Sequence, residues 1–354
     1  MKSVFNKEGL FEIKAPEGKI SSKLPGFYNP RKTFDRDLCI DILSILKPKK
    51  CLDLLSATGS RGIRITGIKG IEEVYMNDKN PKAVELIKEN INHNKKLIKA
   101  KTIVSNEYAQ EFLYKNRIMF DYIDIDPFGT PIPFLESAIT FLKNRGYLGV
   151  TATDSSALVG TYPKACMRKY HSKVYRTPYY KETGIRILIN YIIMKGAESE
   201  KALTPVFSYS KDDYFRIYFK CETGAGKTDS LLKKTGYLTY CPSCLETYTS
   251  ENPMNCEKCR TNSAIGRLWL GDLWDKELLS KISLKHKIVE RIKEESRIQV
   301  PYYYEIPVLI KNKKAKQMKF EEQIRLLREK GFKASRTHFS EQALRTNAKI
   351  KDFK

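Results

Sequence analysis

Five short apolar segments, most of them separated by helical stretches, constrain the fold of this chain most. They lie at residues 51–55, 73–78, 101–104, 122–126 and 146–152. Helical spacing precedes the first segment at residues 33–46, and Pro81 opens a helix that runs to about Asn92. Strands that alternate with helices at this spacing predict an α/β fold with a doubly wound, mostly parallel sheet. Two further strands at residues 206–210 and 214–221 are expected to close it as a hairpin.

A glycine-rich turn follows the first predicted strand. Asp53 is followed by Gly59 and Gly62, which is looser than the GxGxxG pattern of dinucleotide-binding proteins. Such a turn suits a smaller adenosyl ligand with no pyrophosphate. Asp78 ends the second strand, where an acid can accept both ribose hydroxyls of an adenosyl group. Capping of the helix that Pro81 opens is its alternative role.

Two arginines flank this turn in sequence. Arg36 precedes the first strand and Arg61 lies within the turn. Either guanidinium group can pair with a methionyl carboxylate, although a single arginine is more often a solvated side chain. Parallel strands end at one edge of a sheet, and ligands bind at that edge in this architecture.

The fourth predicted strand stops at Asp126, Pro127, Phe128 and Gly129. An acid, a proline and an aromatic ring at the end of a strand fit an enzyme that acts on an exocyclic amine of a nucleobase. The carboxylate and the neighbouring carbonyl accept the two N–H bonds, and the ring stacks on the base. The alternative is an ordinary Pro-Gly turn that Asp126 only caps.

The charge balance favours a polyanionic partner. The chain has 64 Lys and Arg against 41 Asp and Glu, a formal net charge of +23, and neutralising phosphates releases counterions. Lysine-rich thermophile composition is the competing explanation. Residues 163–181 carry six Lys or Arg, no acid and four tyrosines. This pattern indicates an RNA-binding segment, and a solvated amphipathic loop is its alternative.

Four of the eight cysteines form two paired motifs, Cys241-x-x-Cys244 and Cys256-x-x-Cys259. In a chain without a secretory signal this spacing predicts one tetrahedral four-thiolate zinc site. The site is expected to be structural, because four protein ligands leave no open position for catalysis. Residues 224–228 resemble the end of a P-loop but lack its first glycine, so we interpret them as a flexible linker.

We expect a cytoplasmic protein with no membrane association and no obligate protein partner. No apolar run approaches a membrane span, and the N-terminus lacks a signal-peptide core. Four segments are predicted: an N-terminal arm (1–23), a Rossmann-like domain (24–225), a four-cysteine zinc-binding module (226–272) and a basic C-terminal domain (273–354). In the last segment, a lysine run at 311–319 precedes a helix at 320–330.

Taken together, these motifs resemble the tRNA guanine-N2-dimethyltransferase family, over nearly the whole chain. The motifs that carry the resemblance are Phe27-Tyr28-Asn29-Pro30, Asp35-Arg36-Asp37, Asp53 with Ser56-Ala57-Thr58-Gly59-x-Arg61-Gly62-x-Arg64, Asn77-Asp78, Asp126-Pro127-Phe128-Gly129, Thr151-Ala152-Thr153-Asp154, Thr161-Tyr162-Pro163-Lys164-Ala165-Cys166-x-Arg168-Lys169-Tyr170 and Ser335-Arg336-Thr337-His338-Phe339-Ser340. Asp35 and Thr130 depart mildly, because asparagine and serine are common there.

The resemblance implies a class I S-adenosylmethionine-dependent methyltransferase with a zinc-binding insert and a C-terminal α/β RNA-binding domain. Its implied cofactor residues are Arg36, Arg61 and Asp78, with Tyr108 and Ala109 at the adenine. Family members often carry an acid immediately before that alanine. Here that position is Tyr108, and Glu107 lies one residue earlier, so which of the two contacts the adenine amine stays open.

The implied reaction is N2-methylation and N2,N2-dimethylation of guanosine-26 in tRNA. The amine would be held by Asp126 and the Pro127 carbonyl, with Phe128 and Phe27 stacked on the flipped guanine. Positioning would supply most of the acceleration, and Asp126 would also collect the proton. Two rivals stay open: the same catalyst acting on adenine N6 in RNA or DNA, and a non-catalytic zinc-containing RNA-binding protein.

Overall fold

The computed structural model describes residues 3–17, 26–312, 314 and 316–353. It divides into two compact units, the first made of Met1–Ala152, Tyr218–Thr223 and Lys281–Leu284, and the second of Thr153–Ile217, Gly224–Ser280 and Lys285–Lys354. The four-segment division expected from the sequence stays a prediction. Its first boundary, at residues 23 and 24, lies outside the described residues, as does Lys313 of the lysine run.

The first unit contains a hairpin followed by alternating strands and helices. In chain order its elements are β1 (Ser3–Glu8), β2 (Phe11–Pro16), α1 (Thr33–Leu46), β3 (Lys50–Asp53), α2 (Ser60–Thr66), β4 (Glu73–Asn77), α3 (Pro81–His93), β5 (Lys101–Ser105), α4 (Ala109–Asn116), β6 (Phe120–Ile125), α5 (Ile132–Thr140) and β7 (Leu142–Ala152). β1 and β2 pair antiparallel. The predicted strands and helices of this region are therefore confirmed, with ends that shift by a few residues.

The main sheet has the strand order β5-β4-β3-β6-β7 in this unit. Residues Tyr218–Thr223, the second part of a strand that begins at Tyr214, also belong to this unit. All four pairings among the first five strands are parallel. Because the chain starts in the middle at β3 and builds outward in both directions, the order reverses between β3 and β6. Ligands of such sheets bind beyond the carboxyl ends of the strands at this point. Asp53 of β3 pairs there with Asp124 of β6.

The central strands are apolar because both of their faces are covered. Leu52, Val74, Met76, Ile123 and Val150 are all buried. Each such side chain contributes about 1.5–3 kcal/mol when it leaves water. This core fixes the strand ends, and therefore the polar groups that follow them.

The second unit holds the rest of the chain. Its elements are α6 (Ser155–Leu158), α7 (Pro163–Tyr170), α8 (Tyr180–Ala197), β8 (Lys201–Lys211), the first part of β9 (Tyr214–Thr223), α9 (Ala225–Leu232), β10 (Thr235–Tyr240), β11 (Thr247–Ser250), β12 (Ala264–Trp269), α10 (Lys276–Lys281), α11 (Lys287–Glu295), β13 (Tyr304–Glu305), α12 (Ile306–Lys311), α13 (Phe320–Glu329), β14 (Ala334–Arg336) and β15 (Ala343–Thr346). Two small sheets have the orders β11-β10-β12 and β13-β15-β14.

The expectation of a flexible linker at residues 224–228 is wrong. Four of its five residues lie in α9, which begins after Gly224. Gly224 has a φ of +137°, a conformation that glycine adopts without steric cost, so the glycine marks a sharp helix entry. Thr228 and Leu231 are buried, and the helix is fixed by this packing.

A buried ion cluster joins α8 to the C-terminal part of the same unit. Arg345 pairs with Glu182 at 2.7 Å and with Glu295 at 2.9 Å. Glu295 also contacts the Nδ1 of His338, whose Nε2 accepts a hydrogen bond from the backbone of Ser210. Burial opposes ionisation of Glu295, but His338 and Arg345 lower its pKa to about 2. His338 therefore has a structural role.

Candidate active site

Asp53 and Asp78 both accept hydrogen bonds from the backbone of the glycine-rich turn. The Asp53 carboxylate accepts a hydrogen bond from Gly62 N at 3.0 Å. The Asp78 carboxylate accepts from Ala57 N at 2.8 Å and from Asn80 N at 2.9 Å. Because carboxylate oxygens accept more than one hydrogen bond, Asp78 keeps acceptor capacity for a ligand. Asn80, not Asp78, caps α3.

Gly62 cannot carry a side chain. A Cβ there would come within 2.5 Å of the Met76 side chain and 3.2 Å of the Asp53 carboxylate. Gly59 has a φ of +74° and begins α2 as its N-cap. The two glycines of the turn thus allow the tight packing and the left-handed backbone that bring α2 against β3 and β4.

Beyond the turn, Asn77 anchors the loop that carries the predicted adenine contacts. Its side chain accepts from Glu107 N at 3.2 Å and donates to Glu107 O at 3.0 Å. The Glu107 carboxylate lies 3.4 Å from Lys115, and the exposed Tyr108 ring has the Lys79 ammonium 5.6 Å above it. These groups line an open cavity of about 520 Å³. Ala109 is buried.

Arg61 lies among three carboxylates. Its guanidinium group contacts Asp35, lies 3.2 Å from Asp124 and lies 2.8 Å from Asp126. Burial alone would lower the pKa of Arg61, but these acids raise it well above its usual value. The departure at Asp35 thus adds a negative charge to this cluster, where asparagine would add none.

The carboxylate of Asp126 is bound by two cations. Lys32 lies 2.5 Å from one oxygen, and Arg61 lies 2.8 Å from the other. Lys32 is buried, which is rare for a lysine unless it is paired, as it is here with Asp126. It ends a short 3₁₀ turn at Pro30–Lys32 that leads into α1. The two ion pairs fix the orientation of the Asp126 carboxylate.

The predicted stacking residues lie together beside Asp126. Phe27 and Phe128 contact each other edge to face, with ring centroids 4.4 Å apart. This spacing leaves no room for a base between the rings, since two stacked gaps need about 7 Å. Phe128 is 56% exposed, so its free face is the one available to a base.

Arg36 belongs to a second ion cluster. Its guanidinium group contacts Glu8 and donates to the backbone carbonyl of Asn29 at 3.2 Å, and it lies 5.0 Å above the Tyr28 ring. Glu8 also binds Arg64 at 2.7 Å. Burial opposes ionisation of Glu8, but its contacts with Arg36, Tyr28 and Arg64 lower its pKa.

Asp53 behaves differently from the other acids. It is buried, lies next to the negative charge of Asp124, and has no cation in direct contact among the described residues. Burial first and Asp124 second raise the pKa of Asp53 to about 7, against the opposing effect of Arg61. Asp53 is therefore partly protonated near neutral pH.

Three buried polar atoms around the turn have no hydrogen-bond partner within the described part of the chain. They are Nε of Arg36, Oγ1 of Thr58 and Nη1 of Arg61. Buried groups of this kind normally bind water or a ligand. The Nε donor of Arg36 favours an anionic acceptor, and Asp78 supplies an acceptor for hydroxyl groups. This donor set fits S-adenosylmethionine, which carries a carboxylate at one end and a ribose near the other.

The four cysteines of the paired motifs converge. Their sulfur atoms all lie within 4.8 Å of one another, close to the separation of about 3.8 Å expected around tetrahedral zinc. The two motifs share one backbone turn. In each, the backbone N–H four residues after the first cysteine donates to that cysteine's carbonyl, at 2.7 Å for Leu245 and 2.8 Å for Arg260.

The thiols of this cluster affect one another's ionisation because their sulfur atoms lie close together, with those of Cys244 and Cys256 3.5 Å apart. Burial opposes ionisation of Cys241, but hydrogen bonds from Thr261 and from the backbone of Cys244 and Ser243 lower its pKa to about 6. Burial and the adjacent thiols raise the pKa of Cys244 to about 12. Four thiolates thus need a cation to coexist here, which fits a metal ion.

The basic segment at residues 163–181 is helical in its first half. In α7, Cys166 and Tyr170 are buried, and the Tyr170 hydroxyl donates to Asp154 at 2.8 Å. The other face of α7 exposes Lys164, Met167 and Arg168. The first half of the segment is therefore a helix with an exposed basic face and a packed interior.

Comparison with known proteins decides the family. Residues 8–354 match the family described as TRM, N2,N2-dimethylguanosine tRNA methyltransferase.

The chain belongs to this family.

Relatives named tRNA (guanine(26)-N(2))-dimethyltransferase include those of Sulfurisphaera tokodaii, 39% identical over 98% of this chain and 92% of that protein, and of Pyrococcus horikoshii, 37% identical over 98% and 96%. A relative from Aquifex aeolicus, 37% identical over 98% of this chain and 93% of its own, is named tRNA (guanine(26)-N(2)/guanine(27)-N(2))-dimethyltransferase.

The fold of the family is equally clear. The structure of Trm1 from Pyrococcus horikoshii with S-adenosyl-L-methionine superposes with a TM-score of 0.90 at 33% identity, covering 99% of this chain and 98% of that one. The class I methyltransferase fold expected from the sequence is thus confirmed, and so is the family resemblance.

The structure also brings together residues to which the sequence analysis gave no role at the site. Lys32, Asp35, Asp124 and Glu8 all contact predicted site residues. Asp35 belongs to a family-like motif that gave it no role, and Lys32 lies between two such motifs. Glu8 carries no signal beyond an acid in the predicted N-terminal arm, and Asp124 none beyond an acid in a predicted strand.

Proposed function

We propose that this protein transfers methyl groups from S-adenosylmethionine to the exocyclic N2 of guanosine-26 in tRNA, giving the N2-methyl and then the N2,N2-dimethyl product. The observation that carries this proposal is the position of Asp126 at the end of β6. There its carboxylate shares Arg61 with Asp35 and Asp124, beside the glycine turn that suits an adenosyl group. Family membership supports the same reaction.

The cofactor supplies an electrophilic methyl group on a sulfonium centre. On this chain, Asp78 would accept the ribose hydroxyls, and the cavity lined by Glu107 and Tyr108, next to the buried Ala109, would take the adenine. We favour Glu107 as acceptor for the adenine amine, because Asn77 fixes its backbone and its side chain is less exposed than Tyr108.

Arg36 is the better partner for the methionyl carboxylate. Arg61 already faces Asp35, Asp124 and Asp126, so an added anion there would meet an excess of negative charge. In the cluster around Arg36, the two cations Arg36 and Arg64 face the two acids Glu8 and Asp37, and the Nε of Arg36 has no hydrogen-bond partner among the described residues. We therefore propose that Arg61 acts mainly by orienting Asp126. The acids around Arg61 would stabilise the positive charge of the sulfonium group.

The guanine amine would donate its two N–H bonds to Asp126 and to the Pro127 carbonyl, while Phe128 stacks on the base and Phe27 supports Phe128 from its edge. This arrangement directs the nitrogen lone pair out of the ring plane toward the methyl group. The proton leaves to the Asp126 carboxylate as the new C–N bond forms. In the second methyl transfer the N2 amine carries only one N–H bond, so one of the two acceptors is enough to hold it.

The tRNA would be held through the net charge of +23 and the basic surface of α7. We propose a single zinc ion on Cys241, Cys244, Cys256 and Cys259 as a structural element of the second unit. Among the described residues no helix has the length and apolarity that a bilayer span requires.

The reaction is tested with labelled S-adenosylmethionine and two tRNA transcripts that differ only in guanosine or adenosine at position 26. Label in N2-methylguanosine and N2,N2-dimethylguanosine from the first transcript alone supports the proposal. Label in N6-methyladenosine from either transcript would instead support the adenine-directed rival. Binding of tRNA without transfer of label to any nucleoside would leave the non-catalytic alternative.

A further inference from the structure

The N-terminal hairpin is attached to α3 by two asparagines one helical turn apart. Asn90 accepts from Lys14 N at 2.7 Å and donates to Lys14 O at 3.0 Å. Asn94 accepts from Glu12 N at 3.0 Å and donates to Glu12 O at 2.8 Å. Each side-chain amide thus takes the place of a neighbouring strand's peptide group, and the pair fixes the position of β2 along α3.

With β2 held against α3 in this way, Glu8 of the paired strand β1 lies in the interior. Glu8 is the last residue of β1, before a two-residue turn that begins at Gly9, whose φ is +64°. Its carboxylate is fully buried. One oxygen accepts from the Tyr28 hydroxyl at 2.7 Å and from Arg36, and the other accepts from Arg64 at 2.7 Å.

Stability alone does not explain a buried acid between two arginines. Buried ion pairs are costly to desolvate, and apolar residues of similar volume often serve folding as well or better. Glu8 does fix the direction in which the Arg36 guanidinium group points. Its carboxylate accepts from one Nη of Arg36, while the Asn29 carbonyl accepts from both Nη atoms. The Nε of Arg36 is left as a donor atom with no partner in the part of the chain that the structure describes.

We propose that Glu8 is a positioning residue of the cofactor site and that the hairpin is a working part of that site. Glu8 orients Arg36 so that its free N–H meets the carboxylate at the amino-acid end of S-adenosylmethionine. This inference rests on the proposed function, because it assigns that ligand to Arg36.

The test compares two ligands that differ at the amino-acid end. S-adenosylhomocysteine has the carboxylate, whereas 5′-methylthioadenosine has the same nucleoside and thioether without it. Calorimetric dissociation constants are measured for the full-length wild type and Glu8→Gln. Glu12→Gln is the matched control, because Glu12 lies in the same hairpin with an exposed side chain paired to His93.

For Glu8→Gln we expect S-adenosylhomocysteine to bind about tenfold more weakly, because one partner of a buried charge cluster is lost. Binding of 5′-methylthioadenosine should stay unchanged, and Glu12→Gln should match the wild type for both ligands. Equal weakening of both ligands would overturn the inference by showing a general structural effect. Unchanged or tighter binding of S-adenosylhomocysteine would overturn it by showing that Glu8 competes with the ligand for Arg36.

If Glu8→Gln does not fold, Tyr28→Phe decides. It removes one of the three donors to Glu8 and keeps the ring beneath Arg36. We expect about two- to tenfold weaker binding of S-adenosylhomocysteine alone, and no selective loss would contradict the inference. Wild-type protein that binds neither ligand would instead refute the proposed function.

Discussion

The buried ammonium of Lys32 lies 2.5 Å from the carboxylate of Asp126, although 94 residues separate the two in the chain. With Arg61 on the other oxygen, the carboxylate is held from both sides. An acceptor that must aim its lone pairs at an amine gains from such restraint, because small displacements of catalytic groups cost rate.

Lys32→Met is expected to lower kcat for methyl transfer about tenfold or more, because Asp126 loses one restraint. The dissociation constant of tRNA should change little. Lys50→Met is a matched control, since Lys50 pairs with Glu73 away from the site. In an Asp126→Asn background the effect of Lys32→Met should vanish. If the two effects instead multiply, Lys32 does not act through Asp126.

The wild-type protein should contain one zinc ion per chain by elemental analysis. Cys244→Ser and Cys259→Ser should lower the zinc content and the melting temperature alike, because the two motifs have the same geometry. Cys166→Ser, which alters a buried cysteine outside the cluster, should keep the metal. A zinc-free wild type with full stability would rule out the metal site.

The pKa of Asp53 predicts a pH dependence of stability. Burial raises this pKa from 3.8 to about 7. The contribution of Asp53 to the free energy of unfolding is therefore full below pH 4 and is lost as the pH rises toward 7. Asp53→Asn mimics the protonated side chain. The melting temperature of this variant minus that of the wild type should therefore increase as the pH rises from 4 to 7. A difference that stays constant with pH would show that Asp53 does not titrate in this range.

The sequence predicted the parallel sheet, the glycine turn and the four-cysteine motif, because their signals are local: apolar runs, residue spacing and paired cysteines. It did not predict which acid each arginine faces. Arg61 contacts Asp35, Asp124 and Asp126, and these pairings depend on how α1, α2 and β6 pack together. Charged residues are too common for sequence alone to select such partners. The prediction of a linker at residues 224–228 is wrong because glycine marks a helix entry as readily as a linker.

The basic face of α7 should contact RNA phosphates. Lys164→Ala combined with Arg168→Ala is expected to weaken tRNA binding and to reduce the slope of log Kd against log salt by about two, one per lost phosphate contact. S-adenosylhomocysteine binding should be unaffected. Lys233→Ala combined with Lys234→Ala, which removes two exposed lysines after α9, serves as control. An equal loss in both double variants would indicate non-specific attraction.

The central claim is that Asp126 holds the guanine amine for methyl transfer. It is tested most directly with tritiated S-adenosylmethionine and a tRNA transcript, comparing wild type and Asp126→Ala, with digested nucleosides separated by chromatography. We expect label in N2-methylguanosine and N2,N2-dimethylguanosine from the wild type, and at least about a hundredfold less from the variant, while both bind tRNA equally. Undiminished transfer by Asp126→Ala, or label in any nucleoside other than guanosine, would contradict the account.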